Sequence, residues 1–137
     1  MNVALRYLLD TNLLSDLIRH PQGTVANRIA SVGQDTICTS IVVAAELRFG
    51  AEKSGSSKLA AKVDLIFSAL DVLPFESPAD RHYGEIRQSL TSQRRPIGPN
   101  DMLIAAHARA LDLTVVTANT REFSRVPSLK VENWQSR

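Results

Sequence analysis

Short apolar runs alternate with longer segments of helical period along this chain, and that alternation restricts its possible folds more than any other feature. The runs fall at about 6–9, 36–39, 72–75, 114–117 and 129–133, each of strand length. Strands separated by a helix-length segment do not close as tight hairpins, so they return in parallel through crossovers. The pattern predicts a three-layer α/β domain with helices on both faces of a parallel sheet.

The intervening segments carry core faces of their own. Leu59, Val63, Ile66, Phe67 and Leu70 fall at helical spacing, as do Ile86 and Leu90, and then Leu103, Ala106 and Ala110. Ser77-Pro78-Ala79-Asp80 predicts a helix start, with Ser77 as the cap, Pro78 at the first helical position and Asp80 reaching back as in a capping box. Lys53 to Ser57 is a polar hinge between two helices, and Arg94 to Asn100 is a loop punctuated by Pro96, Gly98 and Pro99. A chain of 137 residues with 44% hydrophobic content can bury one sizeable core, so residues 1–137 are expected to form one domain.

Charge and cysteine usage narrow the partners and the compartment. A net charge of +2 and a pI near 9.0 permit an anionic partner without requiring one. The longest basic cluster is Arg94-Arg95, and Arg121, Arg125, Lys130 and Arg137 thicken the C-terminal quarter. Loop arginines are most often simply solvated; the alternative for Arg94 and Arg95 is contact with a nucleic-acid backbone. Cys38 lies in an apolar run with no intramolecular partner, as expected of a buried thiol in a reducing compartment. Met1 to Leu9 holds one arginine and a short apolar run that meets Asp10 at once, which fits neither a signal peptide nor a membrane span. A soluble, cytoplasmic protein is expected.

In open α/β sheets ligands bind at the carboxyl ends of the strands, so acids near those ends are the first candidates. Asp10 ends the first run and precedes the helical pattern of Leu13, Leu14, Leu17 and Ile18; Asp10 or Asn12 would equally serve as that helix's cap. Glu46 sits among apolar neighbours, where an unpaired carboxylate rarely stays buried. It therefore faces a cation or a solvent-filled cleft, or is the one exposed glutamate of an amphipathic helix. Arg48, two residues on, cannot share its face. Asp101 follows Gly98-Pro99-Asn100 in a first helical turn, where the helix dipole by itself favours an acid.

Each acid has a structural explanation, yet all three come from elements that can meet at one end of the sheet. Clustered carboxylates repel unless a cation neutralises them, and an oxygen-only ligand set suits Mg²⁺ or Mn²⁺ rather than Zn²⁺. His20, His82 and His107 lack zinc spacing, and His107, on an Ala-rich helix, is expected to be packed or at the surface. No phosphate loop, GxGxxG fingerprint or GxSxG elbow is present. Phosphodiester hydrolysis is the reaction that carboxylate-held Mg²⁺ serves best.

Six stretches carry a resemblance: Leu8-Leu9-Asp10-Thr11-Asn12, Ala44 to Gly50, Pro96 to Asp101, Val116 to Phe123, Val126-Pro127-Ser128-Leu129 and Glu132-Asn133-Trp134. In this order, across almost the full chain, they resemble the PIN-domain ribonucleases, and within them the VapC-type toxins of type II toxin-antitoxin systems. The resemblance implies a five-stranded parallel sheet and a Mg²⁺- or Mn²⁺-dependent endoribonuclease acting on RNA, tRNA among its substrates. It implies that Asp10, Glu46 and Asp101 match the family's metal-binding positions, and that Thr11 and Thr117 match hydroxyl positions near the metal. A homodimer is implied as well, with a cognate antitoxin whose C-terminal segment wraps the toxin and blocks its site.

Many PIN domains carry a fourth acid where this chain has Asn119. An asparagine there can bond a metal-bound water or the substrate, but it removes a charge and weakens the case for a second metal. Turn preferences alone would also place an asparagine after the fourth strand. Arg94 and Arg95, just before Asp101, are candidates to guide the RNA backbone. Two other functions compete. A catalytically silent PIN protein that binds RNA or DNA is disfavoured by the retention of all three acids. A phosphoacceptor signalling domain needs an aspartate after a middle strand and a lysine after a late one, where this chain has Ser40 and Ala118.

Overall fold

Each of the five apolar runs holds a strand, trimmed or shifted at its ends. The computed structural model describes residues 4–135; Arg137 and the first three residues of the N-terminal stretch lie outside them. The strands are β1 (Tyr7–Leu9), β2 (Ile37–Ser40), β3 (Asp71–Leu73), β4 (Thr114–Val116) and β5 (Val131–Glu132). They form one parallel sheet in the order β3-β2-β1-β4-β5. Helices α1 (Thr11–Arg19) and α2 (Thr24–Val32) connect β1 to β2, while α3 (Ile41–Ser54) and α4 (Ser57–Ala69) connect β2 to β3. Helices α5 (Ala79–Ser92) and α6 (Pro99–Ala110) lead to β4, and α7 (Thr120–Phe123) leads to β5.

The chain builds outward from β1 on one side, then returns to build outward on the other. With right-handed crossovers, that reversal puts the connecting helices on both faces. It also leaves a crevice at the carboxyl ends of β1 and β4, where the winding changes direction. The three residues of β1 are all buried, as a central parallel strand covered on both faces requires, whereas β3 and β5 at the edges are only partly so.

The core joins Leu8 and Leu9 of the sheet to Leu13, Leu14, Val43, Ile86, Ile104 and Phe123 of the helices. Fully buried side chains of this size each contribute about 1.5–3 kcal/mol. Helix α6 departs from its expected stripe: Ile104 to Ala108 are all buried, while Leu103 and Ala110 are only half-buried. It packs against α5, α3 and β4, and a helix contacted from several sides has no single core face.

Local signals at the helix ends succeed in one place and fail in another. Gly55, with φ of 67°, ends α3 in the left-handed region that glycine tolerates, and Ser56 then caps α4 by accepting from the Leu59 amide at 3.1 Å. The expected cap at Ser77 is not made. Helix α5 begins one residue later, so Pro78 takes the cap position and has no side-chain oxygen to offer. Cys38 is buried as expected, and burial pushes its thiol up to about 12. Among the described residues, no helix is long and apolar enough to cross a membrane.

Candidate active site

Asp10 occupies the crevice because the chain leaves β1 there and turns at once into α1. Its backbone amide continues the ladder by donating to the Val116 carbonyl at 2.9 Å. Its side chain caps α1, accepting from the Thr11 amide at 2.8 Å, and also accepts from the Thr117 hydroxyl at 2.8 Å. Asp10 therefore caps α1 and stands in the crevice at once. Thr117 is fixed in turn by accepting from the Asn119 amide at 2.9 Å, and Asn12 ties the two strand ends together by accepting from the Ala118 amide at 2.9 Å. Asp10 is only 3% exposed.

The other two acids arrive on helices. Glu46 lies in the second turn of α3, half-buried, with one oxygen accepting from the Thr11 hydroxyl and the other from the Asn100 side-chain amide at 3.1 Å. Asp101 lies in the first turn of α6 and accepts from the Asn119 side-chain amide at 3.4 Å. Asn119 thus points its side chain at an acid and makes no side-chain cap for α7. Arg48 faces away, paired with Asp64 of α4.

Asp10, Glu46, Asp101, Asn119 and Thr11 line one cleft of about 430 Å³. Burial raises the Asp101 carboxyl to about 6, helped by the charges of Asp10, Glu46 and Glu122. Burial likewise raises Asp10, opposed by its bonds from Thr11 and Thr117. Among the described residues, no lysine, arginine or histidine forms an ion pair with Asp10, Glu46 or Asp101. Nor do any three acids, histidines or cysteines there converge closely enough to ligate one ion as they stand. Mg²⁺ keeps several of its waters and takes only one or two carboxylates directly, so acids spread around a cleft suit it without such convergence. The donor set, three carboxylates with no ion-pair partner among the described residues, fits a hard divalent cation.

The structure separates other candidates from the cleft. Arg94 and Arg95 are exposed in the loop before α6 and do not line it. Arg19 and Ser15 do. Both were legible, because Thr11, Ser15 and Arg19 recur every four residues and so form one polar stripe along α1. Glu122 lies three residues after Asn119, on the same short helical turn, and that spacing was its only signal. Asn100 lies within the Pro96 to Asp101 stretch, but nothing there pointed to Glu46, since the bond between them spans separate helices. His107 is packed in the core, as expected of one alternative, with 2% exposure.

Residues 7–129 match the model of the PIN domain family. The chain is 41% identical over 131 residues to the tRNA(fMet)-specific endonuclease VapC of Shigella flexneri, covering 95% of this chain and 98% of that protein. It is 39% identical to Ribonuclease VapC2 of Rickettsia felis, covering 93% and 97% respectively. Among solved structures, VapBC from Salmonella typhimurium bound to DNA superposes with a TM-score of 0.88 at 36% identity, covering 95% of this chain and 98% of that one. VapBC2 from Rickettsia felis, bound to a DNA fragment from its promoter, gives a TM-score of 0.87 at 35% identity, covering 96% and 99%.

Proposed function

This chain belongs to the PIN domain family and, within it, to the VapC ribonucleases, and from that premise we propose that it is the endoribonuclease toxin of a toxin-antitoxin pair. The observation that carries the reading is the placement of Asp10, Glu46 and Asp101 around one cleft with hydrogen-bond partners and no basic partner. These three would hold a divalent cation, Mg²⁺ or Mn²⁺, which when bound supplies charge neutralisation at the phosphate and acidifies water for phosphodiester hydrolysis. Thr117 and the Thr11 amide orient Asp10; Thr11 and Asn100 orient Glu46; Asn119 orients Asp101. Arg19, the basic side chain at the cleft, contacts the backbone of the RNA, with Arg94 and Arg95 as more distant contacts.

Structured RNA, tRNA in particular, is the proposed substrate, in keeping with the activity for which the Shigella relative is named. The proposed partners are a cognate antitoxin that covers the cleft and a second copy of the chain; similar chains are solved as VapBC complexes. Residues 1–137 act as one domain, in the cytoplasm. Induction without a partner is expected to arrest growth and cleave cellular RNA, and co-expression of the antitoxin from the adjacent gene is expected to restore growth. A soluble product that is harmless and cuts no RNA with Mg²⁺ or Mn²⁺ would overturn the reading.

A further inference from the structure

His107 is a buried imidazole that does not line the cleft, and nothing in the proposed chemistry uses it. Its Nδ1 lies 2.7 Å from the Ser40 hydroxyl, and its ring packs edge-on against Phe75, just beyond β3. A neutral imidazole with its proton on Nε2 leaves Nδ1 free to accept from the Ser40 hydroxyl. Burial favours that neutral ring by lowering the pKa of His107. Ser40 is the cap of α3 and accepts from the Val42 amide at 3.0 Å, so its hydroxyl hydrogen is free to donate.

The same two helices meet again at the cleft, where Asn100 of α6 donates to Glu46 of α3 at 3.1 Å. From Ser40 to Glu46 is six residues and from Asn100 to His107 is seven, spans of about 9 Å and about 10.5 Å at roughly 1.5 Å per residue. The helices therefore run antiparallel and are joined by two polar rungs of nearly matched spacing, one buried and one at the active site. Sliding α6 along α3 would break both rungs together. Asp101 is next to the upper rung and moves with it.

We propose that His107 is a positioning residue for the ribonuclease site, locking α6 against α3 so that Asn100 meets Glu46 and Asp101 stands at its working distance. The inference rests on the function proposed above. Its test compares His107→Phe and His107→Gln with the parent in cleavage kinetics and in side-chain amide NMR of the metal-free protein. His107→Phe keeps an aromatic ring against Phe75 and loses the Ser40 bond; His107→Gln keeps a polar group that can still bond Ser40.

In His107→Phe, kcat should fall on the order of ten- to a hundredfold, the scale of a misplacement near 1 Å, with KM within about twofold. The Asn100 amide resonance should shift while that of Asn12, on the sheet side, stays in place. His107→Gln should fall between, and it carries the same expectations if the phenylalanine variant does not fold. Folded variants with parental kcat and an unmoved Asn100 resonance would overturn the proposal. If the parent cuts no RNA but Asn100 still responds to position 107, the ribonuclease reading fails and the helix lock stands.

Discussion

The acidic cleft has two sides built on different principles. On the sheet side, Asp10 and Thr117 stand at adjacent strand ends, buried, and held by backbone bonds as well as by each other. On the helix side, Glu46 and Asp101 ride on α3 and α6, half-buried, and their hydrogen-bond partners are all side chains. A strand end inherits its position from the sheet, so Asp10 costs little to place. A helix-borne acid is only as well placed as the contacts between helices. The sheet side is a scaffold, and the helix side is adjustable in the sense that its placement is set by side-chain contacts such as Asn100 to Glu46 and His107 to Ser40.

The largest expected effect tests the adjustable side. Asp101→Asn should reduce cleavage on the order of 10²- to 10³-fold, as removal of a charge-stabilising group does. Its stability should move the other way in the absence of metal. The folded-state pKa of Asp101 is raised from 3.8 to about 6, so the folded protein holds that proton more tightly than the unfolded chain. Its contribution to stability is full below 3.8 and is lost as pH rises through about 6. Melting in EDTA across that window should show a decline for the parent that is shallower in Asp101→Asn, with a remaining slope from Asp10, which is raised in the same direction. At neutral pH without metal the variant should be at least as stable as the parent. A large drop in its melting temperature would mean that Asp101 serves the helix start rather than the cleft.

Thr117→Val tests the scaffold side. It removes the hydroxyl that donates to Asp10 and accepts from the Asn119 amide, leaving buried polar groups unpaired at a cost of about 1–3 kcal/mol. Denaturant unfolding measures this directly. Glu46 and Asp101 belong to other elements, so a Glu46→Gln change at the helix side should cost far less stability while damaging cleavage more. If the two substitutions destabilise equally, the division between scaffold and adjustable sides does not hold.

The smallest effects concern the rim. Arg19→Gln should lower RNA affinity and reduce the salt dependence of binding by about one counterion, whereas Arg94→Ala with Arg95→Ala should change it less, because neither lines the cleft. Equilibrium binding at several salt concentrations, with a cleavage-dead variant, ranks them. A larger change from the Arg94 and Arg95 pair would move the RNA path onto the loop before α6.

By itself, the sequence determined what depends on neighbours within a turn or a strand. The five apolar runs marked the strands, because a strand buried on both faces must be apolar throughout. Asp10 at the end of β1, Asp101 in a first turn and the hinge around Gly55 followed from caps, dipoles and turn preferences, all local effects. The stripe of Thr11, Ser15 and Arg19 was equally within reach of helical spacing. Tertiary structure alone decided which side chains meet across elements. Asn100 bonds Glu46, His107 bonds Ser40 and Glu122 adds its charge to Asp101, because crossovers and packing bring helices distant in sequence side by side. Ser77 failed as a cap for the same reason in reverse: its local signal was sound, but the packed chain starts α5 one residue later. Local propensities are worth a few tenths to about 1 kcal/mol, and the burial of a helix face outweighs them.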